Sequence, residues 1–239
     1  MDFRSDNTAG ANPEIVAAIA EAAAAGPAAP YGADPWTERA IGALRAVFEK
    51  DDLEAFPIAT GTAANALTLS AMAPPWGAIY CAETAHIEVD ECGAPELAAG
   101  GAKLRLLPSA DGRLDPGALD AALGAAAWGD QHSAQPAAVS ITQIAETGAL
   151  YSLEQLRAIA EVCRRWGVRL HMDGARFANA IAASGASPAE MTWRAGVDAL
   201  SFGATKNGAL SAEAAVFFNP ELARDFPYRR KRFGHLFSK

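Results

Sequence analysis

Basic charge is scarce in this 239-residue sequence, where 20 Lys and Arg face 28 Asp and Glu for a formal net charge of -8. Nucleic-acid binders neutralise phosphates with a basic face, so this balance argues against that class of partner. The one dense basic run, Tyr228 to Arg232, reads first as a solvated helix face and second as a local anion site. Cysteine is scarce too. Cys81, Cys92 and Cys163 are an odd number without CxxC spacing, which suggests neither a disulfide framework nor a zinc cluster and fits a reducing cytoplasm. No stretch approaches the roughly 20 apolar residues that span a bilayer. The opening Met1 to Asp6 lacks the charged-then-apolar pattern of a signal peptide, so a soluble protein without a membrane partner is expected. Internal repeats are missing, as are the GxGxxG dinucleotide fingerprint and the GxxxxGK[ST] phosphate loop.

What is present is apolar and periodic. Hydrophobic residues make up 51% of the chain, enough for one sizeable core. Alanine-rich segments alternate with short apolar runs, the pattern of helices covering a mostly parallel sheet. Helices are expected over Pro13–Ala25, Thr37–Glu49, Gly61–Met72, Asp115–Ala126, Ser152–Trp166 and Pro220–Arg232. Strands are expected over Ala55–Ile58, Ala78–Cys81, Leu104–Leu107, Ala138–Thr142, Val168–Met172, Ala199–Phe202 and Ala214–Phe218, which makes seven. This divides the chain into an N-terminal segment, 1–30, and a sheet-and-helix body, 31–239. Ligands of such sheets collect at the carboxyl ends of the strands.

Four loops at that edge carry chemically useful residues. Ala59-Thr60-Gly61-Thr62-Ala63-Ala64-Asn65 puts small residues where a strand turns into a helix, so free N–H groups and hydroxyls can hold a phosphate, although a merely structural tight turn uses the same residues. His86, just past the second strand, can stack on a planar cofactor or serve as a satisfied structural histidine. In His171-Met172-Asp173-Gly174-Ala175-Arg176 a strand-end acid needs a cation. A pyridinium nitrogen would serve, while an Asp173–Arg176 turn closure or a His171–Asp173 metal pair are the alternatives. Lys206, one of five lysines, follows an apolar strand in Gly203-Ala204-Thr205-Lys206-Asn207-Gly208. That setting would desolvate its amine, as a Schiff-base lysine requires, whereas an isolated lysine is ordinarily solvated. The four in this order favour pyridoxal phosphate (PLP).

Arg4-Ser5-Asp6-Asn7-Thr8, Tyr31-Gly32-Ala33-Asp34-Pro35, Thr60 to Asn65, His86, Met172 to Arg176 and Thr205 to Gly208 together resemble the L-threonine aldolases of the fold-type-I, PLP-dependent superfamily, and the likeness runs through the whole chain. The resemblance implies a three-layer α/β/α large domain with a mostly parallel seven-stranded sheet. It implies that Lys206 carries the cofactor, Asp173 pairs with the pyridine nitrogen, His86 stacks on the ring, and Gly61 and Thr62 bind the phosphate with Arg230 as a further contact. Ser5 and Arg176 would hold the substrate carboxylate, and His132 would lie near the substrate hydroxyl. Tyr31 would reach a neighbouring subunit's site in a homodimer or homotetramer with shared active sites. The implied reaction is retro-aldol cleavage of L-threonine, L-allo-threonine and related β-hydroxy-α-amino acids to glycine and an aldehyde. Two departures stand out. Gln143 occupies a position where some relatives carry an acid, and the family's small C-terminal domain, with another carboxylate-binding arginine, is expected to be absent from this chain. Another PLP-dependent amino-acid lyase, a PLP-binding fragment without turnover, and a nucleotide-binding module are the competing readings.

Overall fold

The computed structural model describes residues 5–238 and contains the seven expected strands in one sheet. They are β1 (Glu54–Ile58), β2 (Gly77–Ala82), β3 (Lys103–Leu107), β4 (Gln135–Thr142), β5 (Arg169–Gly174), β6 (Ala199–Gly203) and β7 (Glu213–Phe217). Their spatial order is β1-β7-β6-β5-β4-β2-β3. All neighbouring pairs are parallel except those of β7, which is antiparallel to both β1 and β6. The carboxyl ends of six strands and the amino end of β7 therefore share one edge.

The central strands are buried on both faces, as a parallel sheet with helices on it requires. All six residues of β2 are buried. The outer strand β3 has only exposed and half-buried positions and carries Lys103 and Arg105, charges that discourage pairing with another edge.

The helices are α1 (Pro13–Ala24), α2 (Pro35–Val47), α3 (Gly61–Met72), α4 (His86–Val89), α5 (Ala94–Ala98), α6 (Pro116–Gly124), α7 (Leu153–Trp166), α8 (Phe177–Ser184), α9 (Pro188–Met191), α10 (Pro220–Ala223) and α11 (Phe226–Arg232). The short α4, α5, α8 and α9 have too few turns to show a period in the sequence. The expected helix Pro220–Arg232 is broken at Arg224–Asp225. Pro227 lacks an N–H and its ring clashes with the carbonyl four residues back, so the chain restarts a helix rather than continuing one.

α3 matters most for the site. Eight of its twelve residues are buried, and it packs on β6, β7 and α5. Leu67 and Leu69 are 1% and 0% exposed, and burying each contributes about 2 kcal/mol. This anchorage fixes the helix's amino end at the ligand edge. The amphipathic α7 covers β5 and α6, and starts from a reciprocal Ser152–Gln155 capping box. By contrast α1 and α2 bury no residue, and the N-terminal segment is tied down by single contacts such as Asn12 N–H to the Gly208 carbonyl at 2.7 Å.

Candidate functional site

A cleft of about 320 Å³ opens at the ligand edge, and loops from β1, β2, β4, β5, β6 and β7 line it. That size suits a cofactor or small substrate. Its floor begins where β1 turns into α3. The Thr60 hydroxyl accepts the Ala63 N–H at 3.2 Å. The amides of Gly61 and Thr62, in the first turn, have no intrahelical acceptor and lie at the positive end of the helix on the cleft wall.

The opposite wall is a continuous polar network. Asp173 ends β5, is 4% exposed, and accepts the Ala175 N–H at 3.0 Å and the Asn65 amide at 3.0 Å. The same Asn65 nitrogen donates to Glu91 Oε1 at 2.8 Å. Glu91 Oε1 lies 2.9 Å from His86 Nδ1. Because two carboxylates face the Asn65 nitrogen, its amide has one workable orientation, which leaves Asn65 Oδ1 buried without a partner among the described residues; Glu91 Oε2 is likewise orphaned among them.

Both ends of the His86–Glu91 contact titrate upward. The Glu91 hydrogen bond raises the His86 pKa against opposing desolvation, while burial raises the Glu91 pKa against the His86 and Asn65 hydrogen bonds. The proton belongs on His86 Nδ1, since Glu91 Oε1 already accepts a second donor from Asn65 and a carboxylate serves both. His86 Nε2 is then the ring nitrogen left to act as a base.

Lys206 sits half-buried on a single 3-10 turn, Thr205–Asn207, directly after β6. Asn207 holds that turn to Asn179 at 2.7 Å, and Gly208 leaves it at φ 87°, a conformation that favours glycine. Arg176 reaches the cleft from the β5–α8 loop, but two of its nitrogens are taken by Asp6, at 2.5 Å and 3.0 Å. This pairing holds the Asp6 carboxyl below the ordinary carboxylate range, chiefly through the Arg176 hydrogen bond. Arg176 thus closes on Asp6 rather than on Asp173, correcting the turn-closure alternative.

Other expected residues are placed differently. His132 is exposed on the turn before β4, at the amino edge of that strand and hence on the far side of the sheet from the cleft. A histidine so close to the start of a parallel strand cannot reach its other end within one subunit. Ser5 does not line the cleft; its hydroxyl caps the Asp6–Thr8 turn by accepting the Asn7 N–H at 3.2 Å, and Asn7 is the residue that faces the cleft. Tyr31 is 51% exposed outside the cleft, with Lys231 Nζ 5.0 Å from its ring centroid. Arg230 is 9% exposed and donates to the His235 carbonyl at 3.0 Å, and the His235 ring accepts the Ala59 N–H at 3.4 Å, so Arg230 backs the β1–α3 turn from behind. The remainder of the Tyr228–Arg232 run is largely solvated.

Gln143 is fully buried and braces Tyr151, donating to its carbonyl and accepting its N–H, both at 3.0 Å. The acid of that loop which lines the cleft is Glu146. His171 is fully buried between the Ser140 and Ser201 hydroxyls, each 2.9 Å away, and burial pushes its pKa down to about 4. Its nitrogens are both engaged, and among the described residues no group of three metal-binding side chains exists. Glu91, Glu146 and Glu213 escaped sequence reasoning, and Asn65 entered it only as the last residue of the phosphate turn, without its link to Asp173 and Glu91. Only Asn65, a polar residue inside the apolar run of α3, left a visible signal.

Residues 2–238 match the family model described as beta-eliminating lyase. The low specificity L-threonine aldolase of Pseudomonas aeruginosa is 48% identical over the whole chain, and the corresponding protein of Pseudomonas sp. 47%; the chain spans 68% of the length of each. A Leishmania major threonine aldolase structure superposes with a TM-score of 0.91 at 29% identity, over 98% of this chain and 67% of that one. The fold and cleft therefore define a pyridoxal-phosphate-dependent α/β lyase. The chain belongs to the beta-eliminating lyase family, on its threonine-aldolase branch.

Proposed function

We infer that this chain cleaves the Cα–Cβ bond of L-threonine, L-allo-threonine and related β-hydroxy-α-amino acids, giving glycine and an aldehyde. The observation that carries this reading is the unbroken network Asp173–Asn65–Glu91–His86 facing Lys206 across one cleft. The residues fit PLP. Asp173 is a buried carboxylate with only neutral N–H donors on it among the described residues, and a protonated ring nitrogen supplies the missing cation. The free amides of Gly61 and Thr62 suit a phosphate, and Arg230, buried behind their turn without a salt bridge among the described residues, adds positive charge there. Lys206 is the amine that would hold the cofactor.

When bound, PLP supplies a sink for the electron pair released as Cα–Cβ breaks. The protein's own residues do the rest. Arg176 keeps Nη1 for the substrate carboxylate while Asp6 holds its Nε and Nη2. Fixing the carboxylate fixes the rotation about Cα, which selects the bond that breaks. His86, with Nδ1–H locked on Glu91, presents Nε2 to the β-hydroxyl and takes its proton, directly or through one water. Glu146 lines the same cleft from the β4–α7 loop.

The assembly is a homodimer or homotetramer in which the exposed Tyr31 completes a neighbouring cleft. The three unpaired cysteines support a cytoplasmic location. The test is the visible spectrum of the purified chain with PLP, followed by L-threonine. Bound cofactor with release of glycine and acetaldehyde is expected. Pyruvate and ammonia instead, or bound cofactor with no product, would overturn the reaction. Lys206→Ala should abolish both the visible band of lysine-bound cofactor and cleavage, and an unchanged band would remove Lys206 from its role.

A further inference from the structure

One acid of the cleft takes no part in the proposed cleavage. Glu213 is the first residue of β7, and because β7 runs against its neighbours this residue reaches the ligand edge, half-buried in the cleft wall. Its Oε2 sits between two glycines that leave room for it. A Cβ at Gly203 would lie 2.8 Å from that oxygen and a Cβ at Gly61 3.7 Å from it. Among the described residues no salt bridge neutralises it. A carboxylate there is adjacent to the very amides that suit a phosphate dianion, and two such anions side by side in a partly dry cleft repel strongly.

We propose that Glu213 lines the phosphate end of the cofactor site as the neutral carboxylic acid, so that binding a dianion there takes up one proton from solvent. This rests on Gly61 and Thr62 being the phosphate turn. The groups around Glu213 pull in both directions, and burial outweighs the rest. Burial is the largest influence and raises its pKa; the Thr205 hydroxyl and amide and Lys206 oppose this, and Asp173 across the cleft adds to it. The α3 amino end contributes its positive dipole, and His235 and Arg230 lie behind Ala59. A protonated Glu213 turns a repelling wall into a hydrogen-bond donor. The consequence is cofactor retention that weakens with rising pH.

The test uses the full cofactor-free chain and titration calorimetry with two probes, PLP and sulfate. Sulfate keeps two charges throughout the pH range, so any proton taken up belongs to the protein. Repeating each titration in buffers of different ionisation enthalpy counts those protons. For the wild type, uptake should approach one proton per sulfate above neutral pH, and its affinity should fall about tenfold per pH unit relative to Glu213→Gln. The Gln variant should take up about one proton fewer. Equal proton counts and parallel affinity curves in the two proteins would refute the role of Glu213 while leaving the cofactor site intact. Failure of both proteins to bind either probe would instead overturn the phosphate turn itself, and this inference with it. If the Gln variant does not fold, the wild-type count decides alone: sulfate binding without proton uptake ends the proposal.

Discussion

Glu91→Gln separates the charge of the His86 partner from its shape. In the native cleft Glu91 Oε1 accepts from Asn65 at 2.8 Å and from His86 at 2.9 Å, while Oε2 is buried without a partner among the described residues. A glutamine has only one oxygen, and the Asn65 amide, pinned by Asp173, forces that oxygen into the Oε1 position. The Nδ1–H tautomer of His86 is therefore kept and only the charge is lost. Charge-assisted hydrogen bonds exceed neutral ones by about 1 kcal/mol. At fixed pH the ratio of protonated to neutral His86 should then fall by roughly fivefold. The sign is definite: Glu91 raises the His86 pKa, so its removal lowers it. The acid limb of kcat/KM for threonine cleavage should move to lower pH, while the plateau drops several-fold because the base is weaker. Imidazole NMR gives a second readout, since the chain has only four histidines and the His86 signal is identified by its loss in His86→Asn. An acid limb and a His86 titration that coincide with wild type would refute the coupling. A variant that kept the native pH profile but lost fold stability would show Glu91 to be structural only. The same linkage predicts that the His86–Glu91 contribution to stability is present below the unfolded imidazole pKa near 6.5 and is lost as pH rises through the higher folded value.

Asp6→Asn should loosen the N-terminal segment and free Arg176. The pair is a quarter to a third exposed, so a loss of only about 0.5–1 kcal/mol is expected after solvent screening, read as faster proteolysis ahead of α1 and a weaker dependence of stability on acid. The native pair lowers the Asp6 pKa, so its stabilisation holds above the ordinary carboxylate range and disappears as pH falls through the lowered value. Gln143→Ala should cost about 2–4 kcal/mol in urea unfolding, because the Tyr151 N–H and carbonyl lose their buried partners, with substrate preference unchanged. Gly203→Ala should cost about 1–3 kcal/mol, since its methyl would meet Glu213 at 2.8 Å and the Ala175 Cα at 2.9 Å. A midpoint unchanged from wild type in either variant contradicts the packing described.

The parts of this molecule that were legible in the sequence are those whose cause is local. Each strand is an apolar run bounded by glycine, proline or polar residues, and all seven lie within a residue or three of their expected bounds. Thr60, Gly61, Asp173 and Lys206 were legible because they follow such runs, and the carboxyl ends of parallel strands converge whatever the register. His132 shows the limit of that reasoning. A histidine near the start of β4 resembles a functional residue in sequence, but the direction of the strand puts it on the other edge. Glu91 was illegible for the opposite reason: it lies in a polar stretch after the four-residue α4, and it becomes buried only because α3 brings Asn65 against it across 26 residues.

Glu213 combines both effects. Strand β7 is the one reversed strand, so the general rule that ligands gather at carboxyl ends looks at Phe217, away from the cleft, and overlooks the amino end. Reversal also explains why Gly203 and Gly61 flank the same carboxyl although 142 residues separate them: the hairpin-like return from β6 to β7 places Glu213 opposite Gly203, and the β1–β7 pairing places it opposite Ile58, three residues before Gly61. A single antiparallel strand thus sets an acid against an anion-binding turn. The pairings of β7 fix the backbone at Glu213, so the acid stays beside the turn when an anion binds, and the proton count on binding sulfate measures whether protonation relieves the charge.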